Sequence, residues 1–322
     1  MKLLITGAFG NLGLMCVKQA LDLGYSLRCF DIETSATRKL SKHYSEQYPQ
    51  RVEVILGDIL DDALLPRLVE GVDAILHNAS LLPPLTETRA ELARRINVDA
   101  CKKLIAEAER QPTTPVLVFP SSVTVFGIID GPPRERHPDD PVNATDNYTA
   151  HKIEIENALR ASTLPWVICR VGVSVDTRTL KTDLETFKGL LKTRASNPME
   201  YVHPKDVAYA MCRAASETRA QHKIMLLGGG KTCQIDQHQF MGTAFRGLGL
   251  NLSAAVFGED IFYTHWMDTS ESQAILQFQR HDFSDYEEEM AHKLRIGKIL
   301  LFPLRWLINP LLNSVLIKLR SS

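Results

Sequence analysis

Cysteine, net charge and long uncharged runs are all scarce in this chain of 322 residues. Its six cysteines are Cys16, Cys29, Cys101, Cys169, Cys212 and Cys233. None forms a C-x-x-C pair, and most sit inside apolar runs. That pattern excludes a disulfide framework or a zinc ribbon and predicts buried free thiols in a reducing compartment. The ten histidines include no H-x-x-x-H pair, so no metal site is expected. Lys plus Arg number 37 and Asp plus Glu 38, for a net charge of -1. A chain so balanced has no basic excess to draw in nucleic acid. The N-terminal apolar run is cut by Gly7 and Gly10, too early for the core of a signal peptide. A cytoplasmic location is therefore expected, with the C-terminus as the one region that could add a membrane contact.

The remaining composition is that of a soluble globular protein, with 44% apolar and 23% charged residues. The length suits one nucleotide-binding domain with a smaller lobe. Lys2 to Ile5 reads as a short buried strand, and Leu14 to Leu23 as a helix that Gly24 ends. Between them lies Thr6-Gly7-Ala8-Phe9-Gly10-Asn11-Leu12-Gly13, with glycines spaced G-x-x-G-x-x-G. Glycines at a strand-to-helix junction permit a tight turn, a close approach of backbone to a pyrophosphate, and close helix packing. The helix start supplies free N–H groups and a positive dipole end. Ser26 to Phe30 reads as a second strand ending in Asp31, 18 residues past Gly13, where a ribose-binding carboxylate is expected. A carboxylate there favours NAD over NADP, whose 2′-phosphate it would repel. Arg28 and Arg38 nearby leave NADP open.

Further strands are expected at Val52–Leu56, Ala74–His77, Val116–Phe119 and Trp166–Arg170. Helices are expected over 89–110 and 148–161. The alternation predicts an α/β fold: a Rossmann-type doubly wound parallel sheet with a smaller C-terminal substrate-binding lobe. The division expected is 1–170, with 201–230 returning to it, as the NAD-binding domain. Residues 171–200 and 231–295 then form the substrate-binding lobe, and 296–322 a basic apolar tail. Ligands in such sheets bind beyond the carboxyl ends of the strands, where Asp31, Asp58, Ala79 and Ser122 fall.

Taken together, the motifs resemble those of an extended short-chain dehydrogenase/reductase of the NAD-dependent epimerase/dehydratase type. The match rests on the glycine loop, Gly57-Asp58, His77-Asn78-Ala79-Ser80, Asn97 in Ile96-Asn97-Val98, and Ser121-Ser122-Val123-Thr124-Val125-Phe126-Gly127. It continues through Tyr148-Thr149-Ala150-His151-Lys152 and Tyr201-Val202-His203-Pro204-Lys205-Asp206-Val207-Ala208. The resemblance covers about residues 1 to 210 and implies a role for each matched position. Gly7, Gly10 and Gly13, with the loop residues Phe9, Asn11 and Leu12, would cradle the pyrophosphate. Asp31 would hold the adenosine ribose, Asp58 and Ile59 would border the adenine, and Ala79 and Ser80 would line the cofactor cleft. Ser122, Tyr148 and Lys152 would be the catalytic set, supported by Asn97. Thr124 is a second polar contact to substrate, and Tyr148 and Lys152 also touch the cofactor. The resemblance further implies pairing into a homodimer through the helices at about 89–110 and 148–161.

Tyr148 and Lys152 stand four apart, which on a helix puts both side chains on one face. An ordinary tyrosine, with a pKa near about 10, is too weak a base at neutral pH. The Lys152 ammonium and the nicotinamide charge are expected to favour the phenolate. Tyr148 would then take a proton from a substrate hydroxyl as hydride leaves the adjacent carbon, with Ser122 holding the same oxygen. Ser121 is the rival for that second role, and the distance back from Phe126-Gly127 favours Ser122.

Departures from the resembled pattern bear on the substrate. Phe126 stands where a tyrosine is common. Val171-Gly172-Val173-Ser174 lacks the proline and asparagine usual in sugar-nucleotide enzymes, and the stretch from Arg170 to Tyr201 is short. From Met290 to Ser322 there is no acidic residue, while Lys293, Arg295, Lys298, Arg305, Lys318 and Arg320 punctuate dense apolar residues. The longest uncharged stretch of that tail, Trp306 to Ile317, is too short to span a bilayer. The tail is either a helix packed on the protein or an interfacial segment on an anionic membrane. The leading functional expectation is NAD-dependent hydride transfer at a hydroxyl or keto carbon of a small molecule, by dehydrogenation, epimerisation or dehydration. The alternatives are a 3β-hydroxysteroid-dehydrogenase-like enzyme on a lipid or steroid-like alcohol, and a non-catalytic NAD-binding sensor or assembly subunit.

Overall fold

The computed structural model describes residues 1–320. Seven strands form one sheet: β1 (Lys2–Thr6), β2 (Ser26–Asp31), β3 (Val52–Leu56), β4 (Ala74–His77), β5 (Val116–Ser122), β6 (Trp166–Val171) and β7 (Lys223–Leu227). Their spatial order is β3-β2-β1-β4-β5-β6-β7. Every neighbouring pair runs parallel. The order reverses between β1 and β4, so a crevice opens beyond their carboxyl ends. Strands covered on both faces must be apolar throughout, and Leu3, Leu4 and Ile5 are accordingly sealed from solvent.

One face of the sheet is covered by α1 (Asn11–Asp22) and α4 (Pro204–Ala214), which pack Cys16, Val17, Val207 and Met211 into one core cluster. The other face carries α2 (Cys101–Glu109) and α3 (Asn147–Ala161), which contribute Leu104, Ile155 and Leu159. All six cysteines are free and buried, those of this sheet domain among them. Helix α1 starts earlier than its apolar pattern suggested. Asn11, Leu12 and Gly13 form its first turn, so their N–H groups face the crevice. The helix expected over 89–110 is not uniform, because Arg95–Ala100 form a π-helical turn before α2. Such turns frequently mark functional sites, and Asn97 lies inside this one.

The smaller lobe is built on an antiparallel pair, Pro198–Glu200 with Gln234–Asp236. It holds α5 (Leu184–Lys192), α6 (Gln237–Gly247) and α7 (Phe283–Leu301), followed by α8 (Arg305–Arg320). Phe283, Tyr286 and Met290 of α7 close over Tyr201 in the lobe's core. Of the 296–322 segment, Ser321 and Ser322 lie outside the described residues.

Candidate active site

The crevice between the two halves is a cavity of about 550 Å³. Its floor is the glycine loop. Gly7 sits at φ +60°, a conformation that L side chains rarely adopt. Gly13 has no room for a side chain: a Cβ there would lie 2.0 Å from the Gly7 carbonyl oxygen. Phe9 turns its ring inward, stacked on Tyr44, and its N–H donates to Asp31 Oδ2 at 2.7 Å. Asp31 Oδ1 accepts from Ile32 N–H at 2.7 Å. Burial raises the Asp31 carboxyl above its ordinary pKa, against the opposing pull of these two N–H donors. Gly10, Asn11, Leu12 and Gly13 line the cavity together with Ser80. Ala79 is held by its N–H, which donates to Thr6 Oγ1 at 3.2 Å. Asp58 is exposed after β3 and accepts from Leu60 N–H, while Ile59 is buried in the core beside Phe30.

Across the cavity stand the carboxyl end of β5 and the first turns of α3. An Asp146–Thr149 capping box fixes the start of α3. Its cleft face then carries Tyr148 and, one turn on, Lys152. Both line the cavity, and the Lys152 ammonium lies 5.6 Å from the centre of the Tyr148 ring. Lys152 Nζ donates to the Pro120 carbonyl at 2.6 Å. The two serines are separated by the pleat. Ser121 also lines the cavity, but its hydroxyl donates to Glu156 at 2.6 Å, in a buried network where Arg170 grips Glu156 through Nε at 3.1 Å and a terminal nitrogen at 2.7 Å. Ser122 lines the cavity too, with its hydroxyl accepting from the Thr124 hydroxyl at 2.8 Å and not engaged by Glu156. Thr124 therefore addresses Ser122 and is not itself a wall of the cavity. Asn97 also stands behind the wall. Its Oδ1 accepts from Leu81 N–H at 2.7 Å and its Nδ2 donates to Leu81 O at 2.9 Å. It clamps the loop that follows β4.

The electrostatics depart from the phenolate expectation. Burial pushes the Tyr148 phenol up to about 12, with only partial relief from Ser122. Burial also pushes the Lys152 ammonium down to about 8. Burial is the largest cause at both groups, and it keeps the Tyr148 phenol protonated over the neutral range. A phenol so held can give a proton, and it can take one only when more positive charge or a higher pH is supplied.

Several cavity residues had no assigned role. Asn78 lines the floor with both amide atoms buried and without a hydrogen-bond partner. Buried amides are seldom left unpaired, so this one is open to a ligand. Its only signal in the sequence was its place in the His77–Ser80 motif. Arg178 is paired with Asp176 at 2.6 Å and reaches across the cavity to donate to Asn11 Oδ1. Nothing in its local sequence marks it, because the contact joins residues far apart in the chain. The glycine cradle, the unpaired Asn78 amide and the carboxylate at the end of β2 together fit a dinucleotide. Among the described residues no group of three His, Cys, Asp or Glu side chains could hold a metal ion.

Comparison with known proteins agrees with this geometry. Residues 3–173 match the model of the NAD dependent epimerase/dehydratase family. Photosystem II assembly factor Ycf39 of Trieres chinensis is 24% identical over 233 residues, 72% of this chain and 65% of its own length. The decarboxylating sterol-4-alpha-carboxylate 3-dehydrogenase of Mus musculus is 30% identical over 161 residues, 49% of this chain and 40% of its own. The chain thus spans less than two thirds of either relative. A crystal structure of a dTDP-glucose 4,6-dehydratase double mutant from Streptomyces venezuelae shares the fold, with a TM-score of 0.75 and 21% identity. That likeness covers 94% of this chain and 100% of that one. Glycine loop, parallel sheet and matched family model converge, and the chain belongs to the NAD dependent epimerase/dehydratase family.

Proposed function

We propose that this chain transfers hydride between NAD and a hydroxyl- or keto-bearing carbon of a small molecule, with Tyr148 as its acid–base group. The observation that carries the reading is the convergence of Ser122, Tyr148 and Lys152 on the cavity whose floor is the glycine loop. NAD, when bound, supplies the hydride carrier. Tyr148 gives its proton to the substrate oxygen in reduction and receives one in oxidation. Ser122 holds that oxygen in place, kept in position by the Thr124 hydroxyl. Lys152, anchored on Pro120, brings positive charge to the phenol and steadies the nicotinamide end. Gly10 to Gly13 offer helix N–H groups to the pyrophosphate, and Asp31 accepts from the adenosine ribose. Pairing of two copies through 89–110 and 148–161 belongs to the same reading.

An apolar alcohol, lipid- or steroid-like, is favoured as substrate over a sugar nucleotide. Leu82, Val171 and Val175 line the cavity, and Leu82 is 54% exposed. Leu180 and Leu184 are exposed on the adjoining segment. The asparagine and proline that usually follow the sixth strand are replaced here by Val171-Gly172-Val173-Ser174. Absorbance at 340 nm, followed with excess NAD, tests the proposal against two pools: nucleotide sugars, and hydroxysteroids with long-chain secondary alcohols. NADH rising well past one equivalent with the second pool is the expected result. Binding of NAD without turnover or altered product in either pool would replace the proposal with a sensor or assembly role.

A further inference from the structure

We propose that the two C-terminal helices form a one-sided seat for an anionic lipid surface. Helix α7 is rooted in the lobe by Phe283, Tyr286 and Met290, and the Tyr286 hydroxyl lies 3.2 Å from Thr179 Oγ1 at the rim of the cleft. Beyond its midpoint only one edge stays packed, with Leu294 against the lobe core and Gly297 beside Leu248. Among the described residues, ten of the eighteen exposed large apolar side chains lie between residues 296 and 317.

Helix α8 explains why this surface is one-sided. Asn309 Oδ1 accepts from Asn251 N–H at 2.9 Å, and Asn313 Oδ1 accepts from Ser253 N–H at 2.8 Å. Leu316 is buried with Leu191, Met241 and Leu252. The spacing of 309, 313 and 316 is one helix face, and it is fastened to the lobe. Leu304, Leu307, Leu311 and Val315 form the opposite stripe, each more than half exposed. Trp306, three residues before Asn309 and outside that stripe, is 74% exposed. Continuous apolar patches of this kind mark interaction surfaces.

Charge selects the occupant. Lys293, Arg295, Lys298, Arg305 and Lys318 stand exposed on the same two helices, and none makes an ion pair among the described residues, while Arg320 is held on the fastened side by the carbonyls of Ala255, Val256 and Phe257. Anionic headgroups complement that array, at about 1 kcal/mol per cation near the surface. A second copy would meet the same five cations face to face, which opposes self-pairing. By length and composition the helical run Phe283–Arg320 could cross a bilayer. The fastened face of α8 forbids that without tearing Asn309, Asn313 and Leu316 from the lobe. The stripe therefore lies in the plane of the interface with only its free face immersed. The seat is independent of the chemistry in the cleft.

Vesicle co-sedimentation of the full chain tests the proposal, using phosphatidylcholine with and without phosphatidylglycerol. Trp306 is the internal reporter, since Trp166 is buried and the Trp266 indole N–H is already bonded to the Ile235 carbonyl. The expected result is sedimentation with phosphatidylglycerol vesicles only, weakened by salt, with a blue shift in emission that Trp306→Phe removes. The triple variant Leu307→Ser, Leu311→Ser, Val315→Ser leaves the fastened face intact and should stay in the supernatant with an unchanged circular dichroism spectrum. Three results would overturn the proposal: no sedimentation of the wild type, equal binding to uncharged vesicles, or self-association that the triple variant abolishes while vesicles are ignored.

Discussion

Two stretches of this chain are about equally apolar and have opposite fates. Leu3, Leu4 and Ile5 in β1 are wholly enclosed, whereas Ile299, Leu300 and Phe302 are 63%, 69% and 59% exposed. The difference lies in their neighbours. Strand β1 is central among seven, paired on both edges and covered by helices on both faces. Among the described residues, the C-terminal helices have the lobe on one side and the exposed stripe from Leu304 to Val315 on the other. Apolar sequence alone does not decide burial; a second layer does.

The comparison can be strained at several points. The largest effect is expected at Arg170, sealed behind the catalytic strand with Glu156. Arg170→Met leaves that carboxylate buried and without its guanidinium, and should cost about 3–5 kcal/mol in urea unfolding. An unchanged midpoint would mean that Arg160 or solvent takes over the pairing. Leu4→Ala should cost about 2–5 kcal/mol. Leu307→Ser, an equally apolar residue in the open region, should stay within about 0.5 kcal/mol of wild type. Similar losses at the two sites would erase the distinction drawn between them.

Tyr148→Phe removes an acid–base group from the enclosed half. Turnover should fall a hundredfold or more while NAD affinity holds. The pH profile carries the sign. Since the phenol is pushed up to about 12, reduction, which needs the protonated form, should slow as pH rises toward that value. Oxidation, which needs the phenolate, should quicken over the alkaline range, an effect limited by loss of the Lys152 ammonium above about 8. Profiles flat in both directions would take Tyr148 out of the reaction. The smallest effect in this half is expected at Asp31. Asp31→Ala should narrow the preference for NAD over NADP by about tenfold, the scale of one hydrogen bond to a charged group. An unaltered ratio of dissociation constants would move the ribose contact elsewhere.

Much of the site was legible because it is local. The glycine spacing and the four-residue interval from Tyr148 to Lys152 each lie within one local unit, and Asp31 ends the next strand along, where the Phe9 N–H of the glycine loop meets it. The difference between Ser121 and Ser122 needed the tertiary structure, which gives one hydroxyl to Glu156 and leaves the other beside Thr124. The roles of Asn78 and Arg178 were illegible, as was the orientation of Asn97 toward Leu81. Their partners lie on other elements, or their atoms matter because they have none.

The protonation of Tyr148 marks the same boundary. Spacing brought Lys152 beside the phenol and promised a phenolate, yet burial keeps the proton in place because desolvation depends on every wall of the cleft. By itself the sequence determined the parallel nucleotide-binding sheet, since short apolar strands alternating with helices have few other ways to bury both faces. It also determined the cationic, acid-free character of the tail. Tertiary structure decided which tail face is fastened and which is free, because three residues on one side of α8 found partners in the lobe. The stripe from Leu304 to Val315 points away from any.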